Sequence, residues 1–235
     1  MTLKTTDALK FAAMLPSGGL GKRMGAALPK QLLELAGKPI WKYSLETFLA
    51  HPCIGSVVLV VPAEWRSHFV EALGDLPVIV TEGGAERWQS VRNGISVLPP
   101  TVQYALVHDV ARPFLSSAII DAVIARVAQG ACIVAKPVYD TVKIVDNGVV
   151  AATVDRSTVW LAQTPQAFSV ERMQELYARV DACALDFVPT DEASLLEHFG
   201  DSVAVVPGDA WNDKVTTPED FERFQNALQK MKDEN

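Results

Sequence analysis

Between Ser56 and Val61 the chain reads Val57-Val58-Leu59-Val60-Val61, with no polar residue to mark a solvent-facing side. A strand that is apolar at every position must be covered on both faces, the hallmark of a parallel sheet flanked by helices. The same kind of run recurs at Lys10 to Leu15, Pro77 to Thr81, Tyr104 to Val107 and Ala131 to Ala135. Between these runs lie helical stretches: Ile40 to Leu49, Glu64 to Leu73, Glu86 to Leu98 and Ser116 to Val127. Pro39 stands before the first helix and His51-Pro52 closes it, while Ser116 or Ser117 is placed to cap the fourth. Strand and helix in alternation specify βαβ units and an α/β fold with a mostly parallel sheet.

The alternation breaks at Tyr139. Thr141 to Val145 and Val149 to Val154 are β-branched segments around Asp146-Asn147-Gly148, a hairpin signal. Such a ribbon is marginal alone, so the arm, at about residues 138–158, either packs on its own subunit or is exchanged across a dimer. Helices are expected at Val170 to Val180 and at Asp191 to Phe199, with Thr190 capping the latter. A strand at Ser202 to Val206 and a closing helix at Pro218 to Met231 follow. No linker or repeat divides the chain, so residues 1–235 are expected to form a single domain.

Composition narrows the partners. The chain has 21 basic and 28 acidic residues, a net charge of −7, which excludes a nucleic-acid coat but not a local phosphate pocket. Hydrophobic residues make up 49% and charged residues 21%, which excludes a disordered chain. Cys53, Cys132 and Cys183 form no CxxC pair and read as buried thiols in a reducing compartment. No apolar leader or bilayer-length run is present, so the cytoplasm is expected and membrane partners are not.

The chemistry concentrates after the first strand, in Leu15-Pro16-Ser17-Gly18-Gly19-Leu20-Gly21-Lys22-Arg23-Met24-Gly25. Glycines let backbone N–H groups approach a polyphosphate, and Lys22 and Arg23 add positive charge. The stretch is neither a Walker A loop nor a GxGxxG fingerprint. Lys30, after Pro29, either joins the same phosphates or is a surface lysine. A second cluster is Val107-His108-Asp109-Val110-Ala111-Arg112-Pro113. Asp109 follows an apolar strand, at the sheet edge where ligands bind, and can hold Mg²⁺ or a sugar hydroxyl. Arg112 can fork onto a phosphate, or pair internally with Asp109. His108 has no metal-ligand partner at useful spacing and reads as a hydrogen-bonded packing residue.

A third loop, Gly83-Gly84-Ala85-Glu86-Arg87-Trp88-Gln89-Ser90, could read a base edge through its amides and Ser90, while Arg87 could equally pair with Glu86 or face solvent. Asp140-Thr141-Val142-Lys143, Asp155-Arg156, Thr164-Pro165-Gln166, Thr190-Asp191-Glu192-Ala193-Ser194 and Asn212-Asp213-Lys214-Val215-Thr216 complete the set. A GxSxG nucleophile elbow is missing.

In order and spacing these words resemble the 2-C-methyl-D-erythritol 4-phosphate cytidylyltransferase family across about residues 10–228. The resemblance implies a Rossmann-like nucleotidyltransferase sandwich with a protruding β-hairpin arm. It implies CTP and a polyol phosphate as substrates, Mg²⁺ as cofactor, and a homodimer formed through the arm. Arg23, Lys30 and Lys214 would then be catalytic. Pro16, Ser17, Gly18, Gly19, Gly21, Gly84, Ser90, Asp109 and Val110 would hold CTP, with Asp109 also on the metal. Arg112, Thr141, Arg156 and Thr164 would hold the polyol phosphate, Thr141 and Arg156 coming from a neighbouring subunit. Ser17 and Gly18 stand where the family often has alanines, Ala85 where an aspartate is common near the base, and Val110 where a smaller alanine is common. A ribitol-5-phosphate cytidylyltransferase and a non-catalytic nucleotide-binding module remain as alternatives.

Overall fold

The computed structural model describes residues 10–18, 32–182 and 187–233. Gly19, Gly21, Arg23, Lys30 and Cys183 lie outside the described residues. Among the described residues seven strands form the main sheet: β1 (Phe11–Pro16), β4 (Ser56–Val61), β5 (Val78–Glu82), β6 (Tyr104–Val107), β7 (Cys132–Pro137), β10 (Trp160–Ser169) and β11 (Ala204–Pro207). Their order across the sheet is β11-β7-β10-β6-β1-β4-β5. All neighbours are parallel except β10, which runs antiparallel to both β6 and β7. Two small ribbons stand apart from it: β2 (Glu34–Leu35) with β3 (Lys38–Pro39), and β8 (Val142–Asp146) with β9 (Val149–Val154).

The unbroken apolar runs divide by the two-residue period of a strand. Phe11, Ala13 and Leu15 of β1, with Val57, Leu59 and Val61 of β4, face one core. That core is closed by α1 (Ile40–Leu49), α2 (Arg66–Leu73) and α4 (Ser117–Val127). Ala12 and Met14, with Val58 and Val60, face the opposite core under α3 (Arg87–Ser96), α5 (Val170–Ala182) and α6 (Glu192–His198). A smaller cluster of Leu35, Ile40, Val215 and Phe224 seats α7 (Pro218–Asp233). Ser116 caps α4 as expected, its hydroxyl accepting from the Ile119 amide at 3.3 Å.

Strand β10 corrects the sequence reading, which took Thr164-Pro165-Gln166 only as a motif. A proline argues against a central strand because it cannot donate to the ladder. The sheet accommodates it by a register shift: Trp160 to Ala162 pair with Pro137 to Ala135, and regular pairing resumes at Gln166 with Ile133. The polar side chains of the strand are buried but bonded, so the apolar pattern that signals a strand is absent from the sequence. The cap of α6 is also corrected from Thr190 to Asp191, whose carboxylate accepts from the Ser194 amide at 2.9 Å. The arm is present. Asn147 and Gly148 turn it at φ 48° and 81°, the left-handed pair that a two-residue hairpin requires.

Candidate active site

Strand β1 sits where the sheet order reverses: the chain proceeds to β4 and β5 on one side and returns to β6 on the other. In open α/β sheets the crevice beyond the carboxyl ends of the strands at this point receives ligands. A cleft of about 290 Å³ opens there. Pro16, Ser17 and Gly18 line it from the end of β1; Gly84, Ala85, Glu86, Arg87 and Ser90 from the β5–α3 loop; Asp109, Val110 and Ala111 from beyond β6; and Lys214 from the segment before α7.

Each wall has a local cause. The Ser17 amide continues the ladder onto the Val60 carbonyl at 2.7 Å, so the loop leaves the sheet in line with β1. The Gly84 amide donates to the Ser90 hydroxyl at 3.0 Å, and that hydroxyl donates to the Glu86 carbonyl at 3.3 Å. A side chain at Gly84 would collide with Gln89. Lys214 is held between two buried neighbours. The Asn212 side chain donates to the Thr164 carbonyl at 2.7 Å, and the Val215 amide donates to the Ala111 carbonyl at 2.8 Å.

The charges form an alternating chain. Lys214 Nζ lies 2.6 Å from one oxygen of Asp109, and Arg87 Nη2 lies 3.5 Å from the other. Arg87 Nη1 lies 2.5 Å from the Glu192 carboxylate, whose side chain is 1% exposed. Burial would raise the Asp109 carboxyl, but Lys214 and then Arg87 outweigh it and hold it well below the usual carboxylate range. Burial pushes the Glu192 carboxyl up even with Arg87 beside it. Arg87 therefore pairs neither with Glu86 nor with solvent alone. Its partner lies 105 residues further along the chain, beyond the reach of any local pattern. Arg87, Glu192 and Asn212 stand in motifs the sequence shows, but their roles at the site were not legible there.

Arg112 is buried, donating to the Asn212 carbonyl at 2.8 Å and the Ala162 carbonyl at 3.3 Å. It lines a second cleft of about 330 Å³ with Lys136, Gln163, Asp213, Arg223 and Lys214, and Lys214 thus borders both clefts. Thr164 lies beneath the site. Its hydroxyl accepts from the Asp109 amide at 3.1 Å and stands 3.0 Å from His108 Nδ1, so it orients the Asp109 loop. His108 is a hydrogen-bonded packing residue, its Nε2 being 3.1 Å from the Arg112 carbonyl oxygen. Thr141 and Arg156 are exposed on the arm and line neither cleft, and Arg156 Nη1 donates to the Tyr139 carbonyl at 2.6 Å.

Among the described residues no group of three or more His, Cys, Asp or Glu could hold a metal by itself. The site does suit Mg²⁺ in its usual manner with nucleotides, one carboxylate plus substrate phosphates. Among the described residues, the Asp109 oxygen facing Arg87 makes only the longer of the two ionic contacts of that carboxylate.

Comparison with known proteins decides the class. The family model for 2-C-methyl-D-erythritol 4-phosphate cytidylyltransferase (IspD) matches residues 11–230. The chain belongs to this family. The IspD protein of Geobacter metallireducens is 41% identical over 218 residues, covering 89% of this chain and 93% of that one. The IspD protein of Bacillus licheniformis is 38% identical, covering 91% and 93%. The crystal structure of 4-diphosphocytidyl-2C-methyl-D-erythritol synthase from Anaerococcus prevotii superposes with a TM-score of 0.82 at 29% identity, covering 95% of this chain and all of that one. The Thermus thermophilus IspD structure gives 0.78 at 28% identity, covering 93% of this chain and 98% of that one.

Proposed function

We infer that the protein transfers the cytidylyl group of CTP to 2-C-methyl-D-erythritol 4-phosphate, giving 4-diphosphocytidyl-2-C-methyl-D-erythritol and pyrophosphate in the non-mevalonate isoprenoid pathway. Membership of the IspD family over residues 11–230 carries this reading. The relatives are named for the methylerythritol acceptor, which disfavours ribitol phosphate.

The chemistry follows from charge. An acceptor phosphate is already ionised at neutral pH, so no general base is needed. Its oxygen attacks the α-phosphorus of CTP in line, a new P–O bond forms, and the bond to the β-phosphate oxygen breaks to release pyrophosphate. The barrier lies in bringing two anions together, which fixed cations relieve. Lys214 borders both clefts, so its ammonium is suited to the space between nucleotide and acceptor, and Asp109 holds it there. Arg23 and Lys30 take the α-phosphate in this reading, and the Gly18, Gly19 and Gly21 loop takes the triphosphate. Ser17, Gly18, Gly84 and Ser90 border the base, and Asp109 and Val110 the ribose. Arg112, with Thr141 and Arg156 of a second subunit, holds the acceptor, while Thr164, buried beneath the site, supports the Asp109 loop. Mg²⁺, held by Asp109 and the phosphates, would supply further positive charge.

The reading also takes residues 1–235 as a single domain, a homodimer built through the arm, and the cytoplasm as location. Among the described residues no helix is long and apolar enough to cross a membrane.

Pyrophosphate release from CTP and Mg²⁺ with either methylerythritol phosphate or ribitol 5-phosphate tests the assignment. Preferential turnover of ribitol phosphate would overturn the acceptor, and no release with either would overturn the enzyme. Arg23→Ala and Lys30→Ala should each lower kcat by at least about a hundredfold while leaving the thermal midpoint nearly unchanged. Unfolding of both variants would reassign these residues to structure.

A further inference from the structure

We propose that Glu192 is a positioning residue for the nucleotide cleft: through Arg87 it sets the placement of the Asp109 carboxylate. The inference rests on the functional reading above in taking that cleft as the CTP site.

Glu192 is an unusual group to bury. Its side chain is 1% exposed, one oxygen is bound by Arg87, and the other, Oε2, has no hydrogen-bond partner among the described residues. A buried ion pair is weak evidence of added stability, since well-packed apolar residues often serve as well. The pair therefore calls for another account, and its geometry supplies one. The start of α6 is fixed to the centre of the sheet by Gln166 of β10. The Gln166 side chain donates to Asp191 at 2.8 Å and accepts from the Ala193 amide at 3.1 Å. Glu192 stands between these two anchored residues and has little freedom to move.

Arg87 divides its guanidinium between two carboxylates, with 2.5 Å to Glu192 and 3.5 Å to Asp109. The short contact decides where the guanidinium sits, and the long one is what Asp109 feels. Without Glu192, Arg87 would have one remaining carboxylate of the two and would close on Asp109. There it would compete with Lys214, which now holds Asp109 at 2.6 Å. Asp109 and Lys214 both line the cleft, so their arrangement, and with it the charge presented to a nucleotide, depends on Glu192 holding Arg87 back. Arg87 lines the cleft itself.

The test compares wild type, Glu192→Gln, Arg87→Met and the double variant in CTP binding by calorimetry, steady-state kinetics and urea unfolding. Each single change should weaken CTP binding about tenfold, the range seen when supporting groups behind a site are lost. The double variant should lose no more than the worse single, because both changes break one relay. KM for the acceptor should change less than CTP affinity, since the acceptor's phosphate is held mainly by other residues and Glu192 reaches it only through Lys214. Normal CTP affinity in Glu192→Gln with only the unfolding midpoint lowered would overturn the proposal, as would additive losses in the double variant. Should Glu192→Gln not fold, Arg87→Lys serves instead. A single ammonium cannot span both carboxylates, so CTP affinity should fall in the folded variant, and unchanged affinity would refute the relay. The binding measurement needs no acceptor, so a wild type that binds CTP yet fails to turn over methylerythritol phosphate would defeat the functional reading without deciding the relay.

Discussion

The Thr164 hydroxyl and the His108 ring form a small network whose protonation is fixed by its neighbours. The Arg112 carbonyl can only accept, so His108 Nε2 carries the proton toward it, and Nδ1 accepts from Thr164, which in turn accepts from the Asp109 amide. Burial pushes the His108 ring down to about 4. An unfolded chain takes up this proton near pH 6.5, so the unfolded state binds more protons between about 6.5 and 4. Stability is therefore present above pH 6.5 and is lost as the pH falls toward 4, by about 3 kcal/mol if the whole gap is realised. Urea midpoints at pH 7 and 4.5 should fall more in wild type than in His108→Gln, and parallel falls would refute a neutral buried ring. Both the packing role of His108 and the placement of Asp109 at a strand end were legible in the sequence. The partners of Arg87 were not, because a guanidinium in a loop is indifferent to which distant carboxylate reaches it until the elements are assembled.

Elements show a similar division. Helix α3 crosses β1 closely at Gly94, where a Cβ would lie 2.6 Å from the Met14 sulfur. Gly94→Val should destabilise the protein by about 2 kcal/mol by forcing apart a packed contact, measured as a lowered thermal midpoint. A neutral result would mean that Met14 has room to yield. At α6, Asp191→Ala removes both the cap and the tie to Gln166. A loss of about 1 kcal/mol is expected from the cap alone, read from the urea midpoint, and Asp191→Asn should recover most of it. The helix starts and the apolar strands were readable because their signals are local. Strand β10 was not, because its polar residues find partners only in the assembled sheet, Gln163 on the Asp209 carbonyl and Gln166 on Asp191.

At the scale of the whole molecule the arm is the unfinished part. Ile144, Val145, Val149 and Val150 are each more than half exposed on a two-stranded ribbon. Such a ribbon is at best marginally stable without cover, and exposed apolar surface of this kind marks an interaction site. Exchange across a homodimer would cover it and bring Thr141 and Arg156 to a partner's acceptor cleft. Val145→Asp with Val150→Asp should convert a dimer to a monomer in light scattering and raise acceptor KM more than about tenfold, leaving CTP affinity unchanged. A variant that stays dimeric, or a wild type that is monomeric, would refute the exchanged arm.

The amino-acid sequence by itself determined the α/β class, the hairpin, and the families of residues that meet at the carboxyl edge of the sheet. Periodicity, turn chemistry and short-range motifs act within a few residues of one another, so they survive in one dimension. The tertiary structure decided the insertion of an antiparallel strand into a parallel sheet. It also decided the burial of Thr164 beneath the site, the seat of Arg112 at the second cleft, and the run of charge from Glu192 through Arg87 and Asp109 to Lys214. These depend on groups 22 to 105 residues apart finding one another, and electrostatic and hydrogen-bond partnerships at that range exist only once packing has brought the chain together.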